Sequence, residues 1–106
     1  MSKKPVVTLR AKAVGFLSEQ DEAMFFHWLR QLEEFASVRH EGDTLVIDVE
    51  KSKCHEYELR ELIALFHRYA IEMRQLRAFE TRSNQTWLAS ERAYWHRAMY
   101  EPMPAV

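Results

Sequence analysis

The chain is short of the residues from which most motif-driven sites are built. One cysteine, Cys54, stands in 106 residues. A single thiol excludes an internal disulfide, leaves a thiolate zinc centre without partners, and points to the reducing cytoplasm. The two glycines, Gly15 and Gly42, lie far apart. Phosphate loops and dinucleotide fingerprints need several glycines close together, so nucleotide binding has no motif here, and neither glycine builds the strained turn of a hydrolase nucleophile. Net charge is also lacking: fifteen Lys and Arg balance sixteen Asp and Glu to leave -1. The basic footprint of a dedicated nucleic-acid binder is missing. Residues 6–14 contain Arg10 and Lys12 and form no signal-peptide core. No apolar run approaches the ~20 residues of a membrane-spanning helix. The expectation is a cytoplasmic protein without a membrane partner.

Apolar residues make up 47% of the chain and charged residues 29%, the composition of a folded globular protein. The length suits one α+β domain over residues 1–106, with a core at 6–80 and a helical extension at 86–100. Val7, Leu9, Ala11 and Ala13 alternate with Thr8, Arg10 and Lys12, the period of a half-buried strand. Gly15 ends it, and Ser18 followed three residues later by Asp21 reads as a capping box opening a helix. In that helix Phe25, Leu29, Leu32 and Ala36 share a stripe flanked by Trp28 and Phe35, while Glu22, Arg30, Glu33 and Glu34 are expected to face outward.

Residues 37–40 and 44–49 flank Glu41, Gly42 and Asp43, the pattern of a hairpin, with Leu45, Ile47 and Val49 inward and Val46 the lone apolar outward residue. Leu59, Leu62, Ile63, Phe66, Ala70 and Met73 then trace a second amphipathic helix. Its charge order, with Glu56, Glu58 and Glu61 early and Arg68 and Arg74 late, complements the helix dipole. Residues 75–80 read as a fourth strand; continuation of the second helix is the alternative, because Gln, Leu, Arg and Ala all favour helix.

Strand, helix, strand, strand, helix, strand is the ferredoxin-like split βαβ order, an antiparallel sheet with two helices on one face and here an added C-terminal aromatic helix. In the strand order 4-1-3-2 the open face carries Arg77, then Arg10 and Lys12, then Asp48 and Glu50, then Arg39, so opposite charges meet across the central strands. Such a fold serves many activities and selects none.

An RNA-binding sheet stacks bases on aromatic residues of its central strands. Thr8, Arg10, Lys12, Val46 and Asp48 occupy those positions, and Arg68, Arg74, Arg77 and Arg82 read more simply as solvated and helix-end charges, which argues against a nucleic-acid partner. The histidines are His27, His40, His55, His67 and His96, and no two share a helix at a metal-binding spacing. No metal and no cofactor is expected, and no residue is assigned to catalysis. Cys54 and His55 fall where a helix N-terminus is expected, a place that favours a thiolate, although an ordinary half-buried thiol is the simpler reading. Phe26, His27, Trp28, His67 and Tyr69 could instead line a pocket between helices and sheet, the basis of a ligand-binding or cofactor-free enzymatic alternative.

The tail is denser in anchor residues than the rest of the chain. Trp87, Tyr94, Trp95, His96, Met99 and Tyr100 lie within residues 87–100, with Arg92 and Arg97 among them. Trp, Tyr, Met and Arg are the residues enriched at protein interfaces. If the helix folds back onto its own domain, Trp87, Tyr94, Trp95 and Ala98 form the docked side and His96 and Tyr100 are left over. The function expected from these features is a small non-enzymatic interaction or regulatory module of inhibitor or immunity type. Its partner is another protein or a second copy of the chain.

Overall fold

The computed structural model describes residues 5–102. Three strands, β1 (Val6–Lys12), β2 (Phe35–Glu41) and β3 (Thr44–Glu50), form an antiparallel sheet in the order β1-β3-β2. Leu9 pairs with Ile47 and Ile47 with Val38, and Ala11 pairs with Leu45, so the alternation read from β1 carries across the register. The β2–β3 turn needs only Gly42 and Asp43 between the paired Glu41 and Thr44. Gly42 takes φ +64, the positive φ that a two-residue hairpin demands at its first central position.

On the open face Asp48 accepts bonds from Thr8 Oγ1 (2.8 Å), Ser37 Oγ (3.1 Å) and Arg39 (3.3 Å). The Thr8 hydroxyl, foremost among these donors, holds its carboxyl below the usual range. Val46 points to this face as expected but is fully buried. It lies in register between Arg10 and Arg39, whose aliphatic stems are long enough to shield a neighbour across the strands.

Helix α1 (Glu19–Gln31) opens on the expected cap. Ser18 Oγ accepts from Asp21 N–H at 3.1 Å, and the Asp21 carboxylate accepts from Leu17 N–H at 2.9 Å. Its end differs from the expectation. Pairing of Phe35 with Val49 draws residues 35 and 36 into β2, and this tertiary pairing outweighs the local helical stripe. Ala36 is therefore an exposed strand residue. Glu34, expected outward, is fully buried, with its carbonyl accepting from Glu50 N–H at 2.7 Å.

Helix α2 (Glu56–Arg68) buries Leu59, Leu62, Ile63, Leu65 and Phe66. It stops before Ala70, which was expected to continue its stripe. Ile71 N–H bonds to Phe66 O (2.9 Å) and Ala70 N–H to His67 O (3.3 Å), a Schellman closure with Ala70 at φ +55, a position glycine usually holds. Ala70 is exposed, so Ala70→Gly is expected to raise stability by about 0.5–1 kcal/mol by removing the left-handed Cβ penalty. A denaturation midpoint that rises with unchanged slope would show this, and a fall would refute it.

No strand forms over residues 75–80. Arg74–Phe79 is a 3-10 helix in which Leu76 and Phe79, three residues apart, are buried, and that spacing aligns side chains in a 3-10 helix as it does not in a strand. The tail is likewise not one helix. Short helices α3 (Gln85–Leu88) and α4 (His96–Tyr100) flank turns in which Ala93 N–H bonds to Ser90 O (3.1 Å) and Arg92 N–H to Ser90 Oγ (3.2 Å). The tail folds back in cis. Leu88, Trp95 and Met99 join the buried faces of α1, α2 and the sheet in one apolar cluster. Arg74 also fixes the tail by donating to Glu101 O at 2.7 and 3.2 Å.

Candidate functional site

Where the tail meets α2, five side chains make a connected surface. Trp95 is its floor: 4% exposed, with Nε1–H donating to Leu88 O at 2.8 Å. Trp87 stands edge-to-face on Trp95 at 6.2 Å between ring centres, and Tyr94 does the same at 4.9 Å. From α2, His67 packs edge-on against Tyr94 at 4.9 Å, and the Arg60 guanidinium lies over the Trp87 ring at 4.3 Å from its centroid. Glu56, one turn earlier, holds Arg60 Nε at 2.9 Å, so the guanidinium is fixed from both sides. Tyr94 nevertheless leaves 56% of its surface to solvent. Partial burial, then Glu61, push its phenol above the usual pKa, against the opposing pull of Arg60. The hydroxyl is thus a neutral donor and acceptor throughout the physiological range. A hollow of about 550 Å³ lies among Arg60, Trp87, Arg92, Tyr94 and Trp95.

The structure divides the residues singled out in the tail. Trp95 is docked as expected and Trp87 is half-buried, but Tyr94 and Ala98 are exposed rather than docked. Met99 is fully buried and belongs to the core. His96 and Tyr100 stack on one another at 5.5 Å with rings 20° apart. Tyr100 donates its hydroxyl to Glu80 Oε1 at 2.5 Å, and burial together with Glu80 raises its pKa. His96 Nδ1 is buried and has no bond among the described residues. Sequence reasoning did not join Arg60 and His67 to this surface. Their spacing of seven on α2, two full turns, was the signal that put them on one stripe.

A second cluster gathers buried groups under the start of α2. The Glu34 carboxyl rises to about 7, mainly because burial disfavours its charge and then because Glu58 and Glu61 add repulsion; bonds from its own backbone N–H and from Cys54 only partly offset this. Cys54 Sγ lies 3.9 Å from Glu34 Oε2. Burial, then the carboxylates of Glu34 and Glu58, push the thiol up to about 12. The thiolate considered at this helix start therefore does not form near neutral pH: burial beside carboxylates outweighs the dipole. The adjoining cleft of about 350 Å³ is bounded by Cys54, His55, Asn84 and Trp87.

His27, Trp28 and Tyr69 do come together, with Met24 and Arg68, around an open groove of about 520 Å³. Tyr69 donates its hydroxyl to Asp21 Oδ1 at 3.1 Å on its wall. The other two residues of the expected pocket lie elsewhere: Phe26 packs on Phe25 and Phe16, and His67 faces Tyr94. Among the described residues no group of three His, Cys, Asp or Glu side chains could hold a metal ion, and no helix is long and apolar enough to cross a membrane. With this geometry in view, comparison with known proteins finds no match among family models, curated proteins or solved structures.

Proposed function

We propose that the chain is a non-enzymatic cytoplasmic interaction module whose binding surface is centred on Tyr94, Trp87 and Arg60. One observation carries the proposal. Tyr94 offers more than half of its surface to solvent while Trp95 and His67 clamp its ring edge-on. A rigid exposed aromatic beside a stacked arginine loses little entropy on binding and suits a protein hot spot. The inhibitor or immunity type of role rests on the same surface. The partner is a protein, and light scattering decides whether it is a second copy of this chain. As a fold, we read the element order as a split βαβ unit that lacks its last strand.

The double variant Tyr94→Ala, Arg60→Ala is expected to keep its fold and to weaken association at least ~10-fold, the effect of losing hot-spot side chains. Co-purification and light scattering on wild type and variant measure it. The same partner captured at the same affinity by both chains or, where wild type self-associates, the same oligomeric state in both would remove the proposal.

The groove at His27, Trp28 and Tyr69 favours a second reading, a small-ligand site. Its volume falls within the ~300–1,000 Å³ of ligand pockets. This reading predicts a ligand-dependent rise in melting temperature that Trp28→Ala abolishes and Tyr94→Ala does not. A metabolite panel with no shift would eliminate it.

A further inference from the structure

Among the described residues β1 has β3 on one side and no strand on the other. In an antiparallel ladder the backbone groups of alternate residues face the partner strand or turn away from it. Lys51 N–H donates to Pro5 O and Ala13 N–H to Asp43 O, so odd-numbered residues face the hairpin. Val6, Thr8, Arg10 and Lys12 consequently turn their N–H and C=O groups outward. Among the described residues only those of Arg10 are met. Arg10 N–H donates to Gln75 Oε1 at 2.8 Å, and Gln75 Nε2 donates back to Arg10 O at 2.8 Å.

A carboxamide has the donor and acceptor of a peptide group. Gln75 therefore makes, with its side chain, the two bonds that one residue of a neighbouring strand makes with its backbone. It stands where the fourth strand was expected and fills one rung of four. The remaining edge is open: Val6, Thr8 and Lys12 are exposed, and a hollow of about 510 Å³ lies beside it, bordered by Arg10, Lys12, Thr44 and Gln75. Unmet rows of this kind are templates for strand addition.

Charge selects the occupant. Arg10 and Lys12 lie on the solvent face of this strand; Arg10 already pairs with Glu41 at 3.4 Å, whereas Lys12 has no ion pair among the described residues and is the main open cation of the edge. Glu72, also at the hollow, is engaged by Arg74 through its side chain (3.6 Å) and backbone N–H (2.6 Å). An added strand with acidic residues on the solvent face complements Arg10 and Lys12. A second copy paired through β1 would instead gather the Arg10 and Lys12 side chains of both copies on one face. We propose that the outer edge of β1 receives an extended acidic segment of a partner protein, which displaces the Gln75 carboxamide and completes a four-stranded sheet.

The probe is a short fluorescein-labelled peptide of alternating Val and Glu, with a Val/Lys peptide as control, titrated into the full chain by fluorescence anisotropy. In the free protein the Arg10 amide should exchange more slowly than that of Thr8. Saturable binding of the acidic peptide, roughly tenfold tighter than the control, is expected to slow exchange at Val6, Thr8 and Lys12. Gln75→Ala, which removes the group to be displaced, should tighten binding on the order of fivefold, the equivalent of one net hydrogen bond. Lys12→Glu should weaken it. Absence of saturable binding, equal binding of both peptides, protection at other amides, or equal or weaker binding by folded Gln75→Ala would each overturn the proposal. So would light scattering that shows a dimer protected at the same amides. The exchange pattern is read on the wild-type chain, so it decides the matter even if Gln75→Ala does not fold.

Discussion

Glu34→Gln is expected to stabilise the protein by about 3 kcal/mol at neutral and alkaline pH and to change little in acid. The carboxyl is fully buried, its Oε1 has no bond among the described residues, and its pKa rises from an ordinary 4.5 to about 7. Between these values the native state holds a proton that the unfolded chain has released. Stability therefore falls as pH rises, at about 1.4 kcal/mol per unit for one group. The full benefit of the neutral carboxyl is present below the unfolded value and is lost as pH rises through the folded one. Urea denaturation from about pH 4 to pH 9 should show wild type losing stability across the window from 4.5 to about 7, while the variant lacks that component. Taking the difference between the two chains cancels other titrations, such as the opposite contribution of Asp48. Glu34→Leu, which has no polar atom to satisfy, should show the same missing component. Parallel curves for wild type and both variants would refute the assignment.

The other large effect is expected at Trp95. Trp95→Ala should cost about 3–5 kcal/mol, the range for removing a large buried aromatic. The loss combines the cavity with the Leu88 carbonyl left without its indole donor at 2.8 Å. Against a total stability of about 5–15 kcal/mol for a domain of this size, the tail should detach well before the rest. Near-UV circular dichroism should lose the signal of the packed Trp87, Tyr94 and Trp95 rings while far-UV signal from α1 and α2 persists at low denaturant. Tyr94→Ala, at a site 56% exposed, should cost less than about 1 kcal/mol. This contrast separates the two roles of the tail: Trp95 builds the surface, and Tyr94 is what the surface presents. Comparable losses for both substitutions would contradict that division.

The departures from the sequence-based reading share a cause. The Phe25 and Leu29 stripe predicts α1 well, but the same stripe extended to Ala36 fails, because Phe35 gains a strand partner in Val49 that local periodicity does not register. Glu34 moves from surface to interior for the same reason. Leu76 and Phe79 are compatible with a short strand or a helical turn, and contact with the core chose the 3-10 spacing. In the tail, Trp95 was expected on the docked side and is there, whereas Met99, read as an interaction residue, is in the core, and which aromatic faces water followed from where α2 placed His67 and Arg60.

The sequence by itself determined the elements whose signals are local. The alternation of β1 and the positive-φ glycine of the hairpin belong to this group, as do the Ser18 cap and the Leu59-to-Phe66 stripe of α2, because each depends on neighbours within a turn or two. Only the tertiary structure decided that Glu34 is buried and nearly neutral, that Gln75 takes the place of a strand, and that Tyr94 is the tail aromatic left exposed. Those outcomes depend on desolvation and on partners distant along the chain, which no local pattern encodes.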